Sequence, residues 1–145
     1  MYFTFRMFRT VTQSDYEAYM SLINEFRPTS FTRDQFYETL RYIQQTGDIW
    51  IIEEDGEMVA TATIFYEKKF IYNTCILAHI EDVCVMSSKR GMGYGKKIIQ
   101  HLFQEAKERK CYKLTLDCND TNVGFYESCG LTKRGNQMCE LGENL

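Results

Sequence analysis

The residues whose types and spacing could do chemistry lie in one stretch, Ile80-Glu81-Asp82-Val83-Cys84-Val85-Met86-Ser87-Ser88-Lys89-Arg90-Gly91-Met92-Gly93-Tyr94-Gly95-Lys96-Lys97. It reads as an apolar strand, a short loop with alternating glycines, and the start of a helix. Glycine permits positive φ and close backbone approach, so consecutive N–H groups can turn toward one anion. The helix start behind them adds unpaired N–H groups and the positive end of a dipole. A pyrophosphate suits such a site, and a loop with incidental glycines is the bland alternative. Glu81 and Asp82 precede the loop. Adjacent strand residues point to opposite faces, so one of these acids would otherwise face the core, which argues for a role. The competing reading is a pair of solvated acids at a strand kink.

Two familiar phosphate loops do not fit. A Walker loop needs Ser or Thr after Gly-Lys, but Gly95-Lys96 is followed by Lys97. A Rossmann fingerprint needs different glycine spacing and an earlier place in the chain. Metal chemistry is not expected either. The cysteines at 75, 84, 111, 118, 129 and 139 contain no C-x-x-C pair, and His79 and His101 do not complete a ligand set. They read as reduced thiols of a cytoplasmic protein. The net charge of −3 gives no support to a nucleic-acid partner. No apolar run approaches the ~20 residues that span a bilayer, so no membrane partner is expected. Met1–Arg6 lacks the features of a signal peptide.

The elements that must position this stretch follow from periodicity. At 145 residues the chain suits a single domain, 1–145. Residues 3–10 alternate as a half-buried strand, with Phe3, Phe5 and Met7 on one face. Ser14 and Glu17 have capping-box spacing for a helix to about Phe26. Thr32 and Gln35 repeat the signal for a second helix, with Gly47 as its C′ residue. Strands follow at Ile49–Glu54 and Met58–Phe65, joined by the hairpin dipeptide Asp55-Gly56. A third runs from about Leu77 to Met86. Ile98, Ile99, Leu102, Phe103 and Ala106 recur at helical spacing to about Arg109. A short strand at Lys113–Asp117, a short helix at Asn122–Cys129 closed by Gly130, and a weakly signalled strand at Met138–Leu141 complete the order. The expectation is an α/β (α+β) domain with a mixed central sheet flanked by helices.

Arg90, Gly93 and Gly95 match [RQ]-x-x-G-x-[GA], and the loop resembles the acetyl-CoA loop of GNAT N-acetyltransferases. The element order resembles that fold over nearly the whole chain. A narrower resemblance covers roughly residues 68–130. His79-Ile80-Glu81-Asp82-Val83, Cys111 through Cys118, Asn122-Val123-Gly124-Phe125-Tyr126 and Lys68-Lys69-Phe70-Ile71 are similar to eukaryotic glucosamine-6-phosphate N-acetyltransferases. The resemblance implies transfer of an acetyl group from acetyl-CoA to an amino-sugar phosphate, in a homodimer. The apolar C-terminal run fits that assembly. Competing readings are a GNAT enzyme for another amine (a polyamine, an aminoglycoside or a protein N-terminus) and a non-catalytic acyl-CoA-binding module.

The resemblance also implies roles. Tyr126 would protonate or stabilise the leaving thiolate. The Asp117 carbonyl would orient the amine, and Glu81 and Asp82 would bind sugar or relay protons. Val83, Cys84 and Val85 would line the pantetheine arm. Arg90, Gly91, Met92, Gly93, Tyr94, Gly95 and Lys96 would hold the pyrophosphate, and Asn122 would contact the cofactor. Lys69, Phe70, Ile71, Tyr72, Tyr112 and Lys113 match substrate positions, with Tyr72 standing where the family usually has histidine. The family's C-terminal basic residue, which reaches the sugar phosphate from the partner subunit, has no match, because Cys139-Glu140-Leu141 falls there. Arg27 and Thr29, on the loop after the first helix, are the candidates to replace it.

Overall fold

A computed structural model describes residues 4–145, so Phe3 of the expected first strand lies outside the described residues. Asp55 and Gly56 both take positive φ, 52° and 80°, as a two-residue hairpin between right-twisted strands requires. The hairpin joins β2 (Gly47–Glu54) to β3 (Glu57–Lys68). β1 (Arg6–Thr10) pairs with the outer edge of β2, and β4 (Ile76–Val85) pairs antiparallel with β3. β5 (Lys113–Thr115) adds parallel to β4, giving the order β1-β2-β3-β4-β5.

Alternation along the strands sends apolar side chains to both faces. Ile49 and Ile51 pack under α1 (Tyr16–Phe26) and α2 (Arg33–Gln44), against Tyr19, Leu22, Phe36 and Leu40. On the opposite face Ile52, Ala62, Ile64 and Ile80 meet α4 (Tyr94–Glu108) through Ile98, Ile99 and Leu102. A single turn, α3 (Ile71–Thr74), with Tyr72 and Asn73 left-handed, links β3 to β4. α5 (Val123–Ser128) lies beyond β5.

Several expectations change at element ends. The box before α1 is Thr12–Asp15, leading into a short 3-10 turn, rather than Ser14–Glu17. The Thr32–Gln35 box stands as read: Gln35 N–H donates to Thr32 Oγ1 at 3.2 Å and Thr32 N–H to Gln35 Oε1 at 2.8 Å. Gly47 does not cap α2 but opens β2, where a Cβ would come within 2.0 Å of the Ile64 carbonyl oxygen. β5 stops at Thr115, two residues short of the expected end. The strand expected at Met138–Leu141 is absent among the described residues. A strand needs a partner backbone, and these residues have none among the described residues, where Met138 is 91% exposed.

Asp15 locks β1 to the start of α1. Arg9 donates to its two oxygens at 2.8 and 2.9 Å, and Thr12 N–H donates at 2.7 Å. Burial alone would push the Asp15 carboxyl up, but these donors together hold it below its ordinary value. Its contribution to stability is present above the unfolded carboxyl's pKa and is lost as the pH falls through the lowered folded value. Asp15→Ala should destabilise the fold by about 2 kcal/mol in urea unfolding at neutral pH, since it removes a partly buried, charge-assisted pair while Arg9 keeps Glu53 at 3.3 Å. The gap from wild type should shrink toward acid, and a pH-independent difference would contradict the pair.

Candidate active site

The site is built where β4 and β5 part. Their pairing covers only Leu77, Ala78 and His79 against Lys113, Leu114 and Thr115. Beyond His79, β4 runs on to Val85 with no strand on that side among the described residues. The register with β3 also shifts here, so that Asp82 and Val83 together oppose Ala62. This is a β-bulge, and its Asp82 takes φ 51°.

The bulge decides which way the side chains point. Without it, Ile80, Asp82 and Cys84 would share a face. With it, Ile80 packs toward α4 and Cys84 toward α1, while Val83 and Val85 join the α4 face. Glu81 and Asp82 are both exposed, so the expectation that one acid would otherwise face the core is corrected: the extra residue turns both out. Asp82 borders a cavity of about 330 Å³ between β4, α1 and α2, walled by Tyr19, Phe26, Phe31 and Phe36, with Arg27 and Thr29 at the α1–α2 loop. Burial and then the Asp82 charge push the Tyr19 phenol up to about 12. Burial also pushes the Glu81 carboxyl up, followed by the neighbouring charges of Asp82 and Asp117. Asp82 lines the cavity, and Glu81 feels the charges of both Asp82 and Asp117.

The glycine loop follows β4 directly. A 3-10 turn at Ser87–Lys89 leads to Arg90, whose Nε donates to the Val85 carbonyl at 3.3 Å. Gly91 and Gly93 take φ 78° and 88°, and Gly93 is the N-cap of α4, whose first turn holds no acid. Its free N–H groups and dipole end face the loop, the arrangement an anion requires. Gly95 serves a different end. It has ordinary φ, but a Cβ there would lie 2.9 Å from Phe125 Cζ, so its smallness lets α5 cross the start of α4. Two of the expected contacts can use backbone only. Cys84 is buried, with its thiol toward the Leu22 carbonyl at 3.5 Å. Tyr94 is buried too, its ring flanked by Arg6 and Lys97 at 5.6 and 5.4 Å.

Tyr126, on α5, is half-buried against the α4-side core, and Asn122 forms the N-cap of the same helix. Burial, then Cys118 and Cys129, push the Tyr126 phenol up, so it keeps its proton at neutral pH. Asp117 lies just past the end of β5, and its carboxylate accepts from Gln137 Nε2 at 2.9 Å. Gln137 was not singled out in the sequence; nothing local marks it.

The remaining substrate candidates gather elsewhere. Lys69 pairs with Glu67 at 3.0 Å, and Glu67 also meets His79 Nε2 at 2.9 Å. The Tyr72 and Tyr112 rings lie 5.2 Å apart, with the Lys113 ammonium 5.7 Å from Tyr112. Phe70 and Ile71 are exposed beside them. This group lies along the first half of β4: Lys113, opposite Leu77, is about 13 Å along the strand from Glu81 at about 3.3 Å per residue, His79 is nearer, and none of the group lines the cavity. The aromatic walls were missed because packing between separate elements makes them part of the cavity, and Asn24, which holds Thr29 in place, was missed although its contact is local.

A split parallel pair with an anion-binding loop at its mouth defines the class. The chain belongs to the acetyltransferase (GNAT) family, which it matches over residues 16–131. Within that family it is 36% identical over 141 residues to the glucosamine 6-phosphate N-acetyltransferase of Arabidopsis thaliana, covering 93% of this chain and 95% of the relative. The crystal structure of the Arabidopsis thaliana enzyme superposes with a TM-score of 0.86 at 34% identity, covering 95% of this chain and 99% of the other. A protein of Clostridium acetobutylicum described as a predicted acetyltransferase, solved with acetyl-CoA, shares the fold at a TM-score of 0.72 and 20% identity, over 95% and 96% of the two chains.

GNAT acetyltransferases use acetyl-CoA, and the loop here has the donors for its pyrophosphate. Gly93→Val places a β-branched residue at φ 88°, an outlier that strains or moves those donors. Coenzyme A affinity by calorimetry should fall by roughly tenfold or more, with the circular-dichroism spectrum retained. Unchanged affinity would remove the loop from the site.

Proposed function

We propose that the protein transfers the acetyl group of acetyl-CoA to the amine of glucosamine 6-phosphate, giving N-acetylglucosamine 6-phosphate and CoA by direct attack in a ternary complex. The observation that carries this reading is the early end of β4–β5 pairing, which leaves a polar strand edge between an anion loop and three acids. The relatives' shared activity supports the choice of acceptor.

Acetyl-CoA supplies an activated acyl thioester. The edge of Val83, Cys84 and Val85 offers backbone groups to an extended pantetheine arm, as an added strand would use them. N–H groups from Arg90 through Lys96 hold the phosphates. Glu81 and Asp82 bind the sugar. Glu81, with its raised proton affinity, accepts through water the proton that the substrate ammonium must lose. The Asp117 carbonyl, which makes no backbone hydrogen bond among the described residues, orients the freed amine. Tyr126 keeps its phenol proton and donates it toward the departing sulfur. Holding both reactants in one gap supplies much of the rate.

Tyr126→Phe keeps the ring and deletes the donor, so kcat should fall by about 10²-fold with little change in KM. An equal rate would take Tyr126 out of the mechanism. We further propose a homodimer: Phe70, Ile71, Tyr72, Met138 and Leu141 are exposed apolar side chains that a second copy would cover. Light scattering should give twice the chain mass, and a single-chain mass at micromolar concentration would contradict it. Six unpaired cysteines fit a reducing, cytoplasmic setting.

A further inference from the structure

The sugar-phosphate reading creates a demand for positive charge, and this inference rests on that reading. A dianionic phosphate needs a cation or a set of N–H donors. The C-terminal end carries Glu140. Its carboxylate accepts from its own neighbours, Leu141 N–H at 3.0 Å and Asn144 Nδ2 at 2.8 Å. That end of the chain therefore brings negative charge. Lys69 is matched by Glu67, and Lys113 sits with Tyr112 at the far end of β4.

Arg27 differs from both. It lines the cavity together with Thr29 and Asp82, and neither Arg27 nor Asp82 has an ion-pair partner among the described residues. Its guanidinium lies 4.6 Å over the Phe26 ring, and Nη1 donates to the Phe26 carbonyl at 3.0 Å. Those contacts fix the plane of the fork while most of its N–H donors stay open. The loop beneath is held as well. Arg27 N–H closes α1 on the Ile23 carbonyl at 3.0 Å, and Pro28 restricts the next φ. The Asn24 side chain then grips Thr29 in both directions, accepting from its N–H at 2.9 Å and donating to its carbonyl at 2.7 Å. A cation fixed this way loses little freedom when it binds.

The cavity thus presents a cation from the helical layer and an anion from the bulged strand. Glucosamine 6-phosphate carries an ammonium and a phosphate on one ring, the complementary pair. We propose that Arg27, assisted by Thr29, is the phosphate clamp of the acceptor site and acts within its own chain. Asp82 faces it as the acid on the sugar side. The clamp makes Arg27 a specificity-determining residue: it sets the preference for the phosphorylated sugar over the free one.

The test compares kcat/KM for glucosamine 6-phosphate and glucosamine on wild type, Arg27→Ala, Arg27→Lys and Lys113→Ala. Arg27→Ala should collapse the ratio of the two values by about 10²-fold, the loss of a bidentate charge-assisted contact. Arg27→Lys should restore part of it, because charge returns without the fork. A collapse in Lys113→Ala and not in Arg27→Ala would overturn the clamp and leave the substrate reading intact. A wild type that accepts both sugars equally would remove the substrate reading, and the clamp with it. Co-producing Arg27→Ala with Tyr126→Phe in one cell tests the in-chain claim. Activity no higher than the average of the two variants is expected. Recovery to about a quarter of wild type, the yield of mixed dimers holding one intact site, would place Arg27 across a subunit boundary and overturn it.

Discussion

A sheet strand normally has its backbone groups paired on both sides, and β4 does not. After three residue pairs β5 turns away, and the polar edge from Ile80 to Val85 is left without a strand partner in the middle of the fold. Unpaired buried backbone is costly, so such an edge persists only where something else meets it. The bulge at Asp82 is the companion constraint. By inserting one residue against Ala62 it twists β4 away, presents two acids to the gap, and hands Val83 and Val85 to the α4-side core. The opening and its acids come from the same local departure from a regular ladder.

Charge is then sorted along that opening. The chain is net acidic, yet Lys89, Arg90, Lys96 and Lys97 surround the glycine loop, where a helix N-terminus already favours anions. Cations in a first helical turn oppose the dipole, an opposition that an anion bound there would offset. On the other side of the gap Glu81 and Asp82 are exposed, and burial followed by the charges of Asp82 and Asp117 pushes the Glu81 carboxyl up. Between these poles Tyr126 is kept neutral by burial, which suits a donor that acts at the moment negative charge appears on sulfur.

Local chemistry was legible in the sequence, and packing was not. Asp55-Gly56, the Thr32–Gln35 box and the Gly91 and Gly93 turns each act within a few residues, so their structure follows from residue type. Gly47 and Gly95 look the same in sequence but answer to distant atoms, the Ile64 carbonyl and the Phe125 ring. The bulge leaves no mark in Ile80–Val85, because a one-residue slip is defined by the partner strand. The apolar pattern at Met138–Leu141 signalled a strand weakly, yet a strand is a pairing, and no backbone among the described residues is there to accept it. The split between the Arg27 cavity and the Lys113 group has the same origin: motif order along the chain says nothing about which end of β4 a residue reaches.

The end of α1 ties the two halves of the site together. Glu25 accepts from Ser87 N–H at 2.6 Å, where the glycine loop begins. Its neighbour Asn24 holds Thr29 on the acceptor side, and the Leu22 carbonyl takes the thiol of Cys84 on the strand between them. One helix terminus thus sets the donor loop, the reacting strand and the acceptor loop against each other. A direct transfer needs the amine and the thioester carbon within near-contact distance, and a small error in either loop is enough to lose it. Placing both loops on one rigid helix end removes their independent motion. The Asn24–Thr29 and Glu25–Ser87 contacts are exposed while the Cys84–Leu22 contact is buried, so the helix end is anchored in the core and reaches both loops at the rim.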